Sequence, residues 1–311
     1  MSIFFKNFIL SLFVILTIFN TSASAQAYVG PKIKIITTIR PIAGIVQDIA
    51  KEYVQVDYLV RPNQDPHNYT LLVGDLRRIT DSDKMIIVGE EFEPNLAKYI
   101  KVKPSDKVLN LSKIEKIKLL DQRHDCKGHH HGKKHEHSAD GHYWLDVSNA
   151  QIIAEAIAQV IIKQIPNAEQ AIKANLAAFK QDLEGIKANF EQTHLNKDKQ
   201  YFITHDSLQY LEKDLGLTLV DTLFSNHYQQ VSLSRIKKLT DKVKQNKVKC
   251  ALMEVEFNTN KTNEIYKKIG LVPTLLEMEN VEINNQKNYI SENSYVKMLN
   301  NVLTRISDCL L

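Results

Sequence analysis

The chain has 311 residues, with 40 Lys and Arg against 36 Asp and Glu and a formal net charge of +4. Scattered charges of both signs exclude a nucleic-acid binder built on a basic face. The length exceeds what one ordinary core supports and predicts two domains.

The N-terminus carries Lys6, an apolar run from Phe8 to Phe19 and small residues ending in "SASA". This is the layout of a secretory signal peptide over residues 1–25, cleaved after Ala25, and places the mature protein in the periplasm. The alternative is an uncleaved membrane anchor, because the run approaches a spanning length if tilted. No cysteine stands near the cleavage point to carry a lipid. Removing residues 1–25 takes one Lys and no acid, so 39 basic residues face 36 acidic ones, a net of +3. No later apolar run is long enough to cross a bilayer.

From Lys32 short β-rich runs alternate with amphipathic ones. "KIKIITTI" predicts a strand, "PIAGIVQDIAKEY" a helix opened by Pro41, "VQVDYLV" a strand and "LVGDLRRITDSD" a helix; then "MIIVG" predicts a strand, "EPNLAKYIK" a helix and "KVLNL" a strand. Alternation of this kind implies parallel pairing and right-handed crossovers, so residues 30–165 are expected to form an α/β lobe.

A histidine-rich stretch, "HDCKGHHHGKKHEHSADGH", then runs from His124 to His142 and contains seven of the chain's eleven histidines. Neutral imidazole is the commonest protein ligand for zinc and its neighbours, so the stretch points to a metal. Within the loop at 121–141, His124, Cys126, His129, His130, His131, His135 and His137 form a loose accessory ligand set, interspersed with glycine. One reading is an auxiliary site that gathers or senses metal; the other is a solvated insertion with incidental affinity. His142 differs, because apolar residues resume directly after it in "YWLDVSNA".

Two helical stretches follow. The first, "VSNAQIIAEAIAQVIIKQI", is capped by Ser148 or Asp146. The second, within 166–195, places Ile172, Leu176, Phe179, Leu183, Ile186 and Phe190 at unbroken helical spacing and extends about 40 Å, which suits a rigid connector between lobes. Residues 196–311 repeat the α/β rhythm: "QYFIT" strand, "HDSLQYLEKDL" helix, "LTLVDTL" strand, "SRIKKLTDKVKQN" helix, "KCALMEVEF" strand, "NEIYKKIG" helix, "LVPTLLEM" strand, and a last helix over 291–310. The expected fold is therefore two α/β lobes with mostly parallel sheets, joined by one long helix, with a ligand cleft between them. No internal sequence repeat is visible.

Cys250 and Cys309 both fall in ordered elements. In an oxidising compartment they are expected to form a disulfide; the alternative is two separate buried thiols. Cys126 is then the odd cysteine, placed where a thiolate can ligate metal.

Three histidines stand at strand exits. His67 lies in "RPNQDPHNYT", a Pro-rich turn poorly suited to burial; His142 ends the tract; His205 follows "YFIT", at the carboxyl end of a parallel strand, where open α/β sheets hold their ligands. From segments so far apart they converge only across an interlobe cleft. His194 and His227 lack a preceding buried strand and are expected at the surface. Asp146 and Asp206 are candidates either to hydrogen-bond the ligands from behind or to make structural hydrogen bonds.

The combination of "DPH" at 65–67, "GHYWLDVSNA" at 141–150, "THDSLQYLEKDLGL" at 204–217, "CALMEVEF" at 250–257 and a long central helix resembles the periplasmic zinc-binding proteins of ATP-driven (ABC-type) metal importers, over nearly the whole mature chain. The resemblance implies a Zn2+ ion held by His67, His142 and His205 and delivered to a membrane permease by a monomeric binder with no enzymatic activity. Similar manganese binders carry a carboxylate where His205 stands; a third imidazole favours zinc. Three histidines leave one tetrahedral position for water or a carboxylate. Such proteins usually carry an Asp on the late strand, where this chain offers Glu277 or Glu279, and Pro66 replaces a carboxylate found beside the first ligand in some relatives.

Two other functions use the same residues. Three histidines and an open position also describe a hydrolytic zinc enzyme, although "HEH" at 135–137 is not H-E-x-x-H and no nucleophile signature is present. A zinc buffer or metallochaperone acting through the His-rich loop alone is the third class.

Overall fold

The computed structural model describes residues 28, 30–61, 64–96, 103–123, 139–192, 199–224, 231–278 and 294–311. The expected signal peptide at 1–25, most of "EPNLAKYIK", His194, His227 and the whole accessory set from His124 to His137 lie outside the described residues.

Two four-stranded parallel sheets form the frame. The first contains β1 (Ile33–Thr37), β2 (Val54–Tyr58), β3 (Lys84–Ile87) and β4 (Val108–Asn110), in the order β2-β1-β3-β4. The second contains β5 (Lys199–Ile203), β6 (Leu217–Thr222), β7 (Cys250–Glu254) and β8 (Thr274–Leu276), in the order β6-β5-β7-β8. The second sheet repeats the topology of the first, a duplication that the sequences of the two halves do not display. In each sheet the order reverses between the first and third strands, and the carboxyl ends of strands at such a switch point form a crevice.

Helices α1 (Arg40–Ala50) and α2 (Val73–Asp81) belong to the first half, and α3 (Val147–Gln164) follows the tract. Its cap is Asp146, whose side chain accepts a 2.8 Å bond from Asn149 N–H. A turn at Pro166–Ala168 precedes α4 (Glu169–Gln192), which therefore starts three residues after the first residue of the expected connector at 166–195 and extends about 36 Å. Its buried stripe is Ile172, Phe179, Leu183 and Ile186.

The second half holds α5 (Gln209–Leu215), α6 (Leu233–Gln245) and α7 (Asn260–Ile269). Gly216 (φ 63°) and Gly270 (φ 89°) close α5 and α7 in the left-handed conformation that L side chains resist. The expected helix from His205 is shorter, because Thr204–Leu208 bends instead. Ser207 Oγ donates to Glu254 Oε1 at 2.7 Å and the Thr204 hydroxyl meets Tyr266 Oη at 3.0 Å, and these buried bonds fix a turn that helical backbone cannot reach.

Alternation along the strands divides the core. Tyr201 and Ile203 on β5 and Leu252 on β7 join a continuous apolar core that includes β1, β3, α1, α3 and α4, whereas Phe202, Ala251 and Met253 face a second cluster with α6 and α7.

The last helix, α8 (Ser294–Leu310), joins the halves. The Asp48 carboxylate of α1 accepts from Ser294 N–H (2.9 Å) and Tyr295 N–H (3.2 Å), and Tyr295 Oη donates to the Trp144 carbonyl. Its other end is bonded to β7 by the Cys250–Cys309 disulfide, with Cα atoms 5.1 Å apart. Closing that loop stabilises the fold by roughly 2–4 kcal/mol. No helix among the described residues is long and apolar enough to cross a membrane.

Candidate metal centre

His67, His142 and His205 come together. His67 sits in a turn at Pro66–Asn68 after β2, where Asp65 accepts from His67 N–H at 2.9 Å and Pro66 supplies the fixed φ of the first position. The loop is held to the start of α2 by Asp75, which accepts from Tyr69 Oη (2.8 Å) and Leu72 N–H (2.9 Å). This anchoring overturns the expectation of an exposed turn: His67 is only 7% exposed.

His142 precedes the turn Tyr143–Leu145, whose three side chains are buried. His205 leaves β5 at the switch point of the second sheet. His142 and His205 are 3% and 2% exposed.

One ligand atom from each histidine lies within 4.8 Å of the other two. Ring centroids are 5.2 Å (His67–His142), 5.5 Å (His67–His205) and 5.1 Å (His142–His205) apart, and Nε2 of His142 is 3.2 Å from Nε2 of His205. Two nitrogens on a tetrahedral zinc at about 2.0–2.1 Å stand roughly 3.4 Å apart, so this pair needs almost no adjustment. All-nitrogen donors suit a borderline ion such as zinc better than a hard one.

Asp146 and Asp206 take the structural role among their two expected ones, and other carboxylates stand behind the rings. Asp140 Oδ1 accepts from both N–H and Nδ1 of His142, at 2.9 and 2.8 Å. Glu254 Oε1 lies 2.9 Å from His205 Nδ1, off the ideal hydrogen-bond line, and also takes the Ser207 bond. Both carboxylates approach Nδ1, which leaves Nε2 as the metal-facing atom. Burial pushes Glu254 up, but the adjacent His205 imidazole and the Ser207 hydroxyl outweigh it and hold its carboxyl below the usual range. Asp146 caps α3 instead, and Asp206 pairs with Arg123. A carboxylate two residues before the ligand, and a lone acid at the end of the apolar strand "CALME", were the available signals.

Aromatic rings enclose the site. Phe92 stands 4.3 Å from the His67 ring, 5.3 Å from His142 and 4.9 Å from Trp144, while Phe257 stands 5.2 Å from His205. Beside Phe92, the fully buried Glu93 faces the N–H groups of Val88 and Gly89 at 3.4 Å, and burial pushes its carboxyl up to about 8. Glu277 is half-buried after β8 and is not a member of the histidine group; Glu279 lies outside the described residues.

A family model described as zinc-uptake complex component A, periplasmic, matches residues 35–309. The high-affinity zinc uptake system protein ZnuA of Haemophilus ducreyi is 26% identical over 293 residues, covering 89% of this chain and 93% of that protein. The zinc-binding lipoprotein AdcA of Streptococcus pneumoniae is 26% identical over 293 residues, 92% of this chain; the chain spans 58% of that relative's length. A crystal structure of ZnuA shares the fold, with a TM-score of 0.74 and 22% identity over 90% of this chain and 100% of that one. Two parallel sheets of matching topology, a buried histidine triad drawn from both halves and a family match over residues 35–309 agree: the chain belongs to the family described as zinc-uptake complex component A, periplasmic.

Proposed function

We propose that the protein captures Zn2+ outside the inner membrane and delivers it to the permease of an ABC importer, with zinc as cargo and not as a catalytic cofactor. The observation that carries this reading is the buried triad His67, His142 and His205, gathered within 4.8 Å from three separate segments. Three imidazoles supply neutral, borderline donors, and water or a carboxylate from the segment around Glu277 and Glu279 completes the tetrahedron. The chain divides into a lobe at 30–165, a connector at 166–195 and a lobe at 196–311. A cleaved leader at 1–25 exports it to the periplasm, where it works as a monomer. The relatives named for zinc uptake and zinc binding support the cargo assignment.

A zinc titration with competing manganese, on the parent and on His67→Ala, His142→Ala and His205→Ala, tests it. Zinc should win on the parent, and each substitution should weaken tight binding at least about 100-fold. Tight zinc binding that survives all three, or a preference for manganese, sinks the assignment. Deleting 124–138, with His124, Cys126, His129, His130, His131, His135 and His137, should leave the tight site intact; its loss would favour the buffer reading.

A further inference from the structure

The segment that leads into the histidine-rich tract is bonded to the turn that carries His205. Arg123 Nε donates to Asp206 Oδ2 at 2.8 Å, Nη1 to Glu212 Oε2 at 2.8 Å and Nη2 to Glu212 Oε1 at 2.8 Å, with a further contact from Nη2 to Asp206 Oδ1. Tyr201 Oη donates to Glu212 Oε1 at 2.6 Å, fixing the acceptor from β5. Asp206 is the residue after His205. On the other side, Arg123 leaves a strap closed on itself by the Asp121–Ala139 bridge and by Asp140 N–H donating to the Leu120 carbonyl at 2.8 Å. That closure ties the segment ending in Arg123 to Asp140, which holds His142.

Neutral bonds run in parallel: Tyr210 Oη accepts from Leu120 N–H and donates to the Asp140 carbonyl, both at 2.8 Å, and Gln209 Nε2 donates to the Asp121 carbonyl at 3.2 Å. None of these groups belongs to the triad, so the connection holds whether or not a metal is bound.

We propose that Arg123 is a positioning residue of the metal centre: its fork on Asp206 and Glu212 holds the His205 turn against the strap that carries Asp140 and His142, and so sets how fast the site releases its ion. This rests on zinc being held by the triad. A planar guanidinium binding two carboxylates restricts rotation as well as separation, which an ammonium does not. A tie made by non-ligand groups raises the fraction of molecules with the ligands already in register, and apparent affinity scales with that fraction. Arg123, Asp206 and Glu212 keep 36%, 24% and 16% of their side-chain surface, so salt reaches this tie while the buried Tyr210–Asp140 bond is screened much less.

The test measures zinc release into excess chelator, and zinc affinity by competition, for the mature parent, Arg123→Ala, Arg123→Lys, Glu212→Gln and the Arg123→Ala/Glu212→Gln pair. Each is measured at about 0.05 M and about 0.5 M potassium nitrate. Arg123→Ala should release zinc roughly 3- to 10-fold faster, Arg123→Lys should recover only part of the difference, and the pair should be no faster than Arg123→Ala. Salt should speed release from the parent and leave Arg123→Ala unchanged, a response that general loosening of the fold would not give. Release from Arg123→Ala within 2-fold of the parent, additive effects in the pair, or an equal salt response in both proteins overturns the proposal. A parent without tight zinc binding overturns the triad reading itself, and this proposal with it. If Arg123→Ala fails to fold, Glu212→Gln and the salt series on the parent decide the matter alone.

Discussion

His142 and His205 face each other through Nε2 atoms 3.2 Å apart, each backed on Nδ1 by a buried carboxylate, Asp140 at 2.8 Å and Glu254 at 2.9 Å. The two halves of the chain thus contribute the same unit, a histidine with its acid, to one site. Each acid fixes a tautomer and raises the basicity of the nitrogen offered to the ion. Asp140→Asn and Glu254→Gln keep shape and hydrogen-bonding capacity but remove the charge. Each should weaken zinc binding roughly 10- to 100-fold, read by competition titration. Ser207→Ala, which loses only the hydroxyl on Glu254, should cost less than Glu254→Gln; equal losses would mean that placement of the carboxylate matters more than its charge.

Acid should release the ion. Imidazole binds zinc only when neutral and ordinarily titrates near about 6.5, so protons compete below that value and affinity falls as pH drops. With three imidazoles in the site, the dependence of log Kd on pH should steepen toward three protons per ion at low pH. A slope below one proton, measured by calorimetry in buffers of different ionisation enthalpy, would contradict a three-histidine site.

Glu93 predicts an opposite stability trend to the usual acid. Its carboxyl is raised from 4.5 to about 8 by burial, so the folded protein keeps a proton that the unfolded chain has lost across that window. Its contribution is full below about 4.5 and is lost as pH rises through about 8, a change on the order of a few kcal/mol. Glu93→Gln is always neutral. It should match the parent in urea unfolding at about pH 4 and exceed it at about pH 8; an equal offset at both would show that Glu93 does not hold the proton.

Much of the frame was legible because parallel strands buried on both faces read as short apolar runs punctuated by amphipathic helices, as in "MIIVG" and "CALME". His142 and His205 were legible through their shared placement with His67 at strand exits and through the motifs around them, since one such histidine alone is more often structural or solvated. Asp140 and Glu254 were not, because several acids lie close to the ligands in sequence and only the fold shows that Asp146 and Asp206 have other partners, while Glu254, 49 residues after His205, reaches it because β7 pairs with β5. The role of α8 was hidden likewise: its amphipathic pattern shows one buried face, but not that its first turn would cap on Asp48, 246 residues earlier. The burial of His67 was missed because a Pro-rich turn looks exposed until Phe92 and Asp75 are placed around it.

Phe92 gives the last prediction, through Gly141. A Cβ at Gly141 would lie 2.6 Å from both Cβ and Cδ2 of Phe92, closer than side-chain carbons approach. Phe92 has little room to shift, because its ring packs edge-on against Trp144 at 4.9 Å and against His67 at 4.3 Å. Gly141→Ala should therefore cost about 1–3 kcal/mol of stability by overpacking. It should also weaken zinc binding, since the displaced ring moves His67 and the backbone at 141 carries His142. Gly141→Ala with Phe92→Gly, which removes the obstructing Cβ and ring atoms together, should recover part of the affinity. If the pair binds zinc no better than Gly141→Ala alone, the glycine serves the backbone path into His142 and not the approach of Phe92.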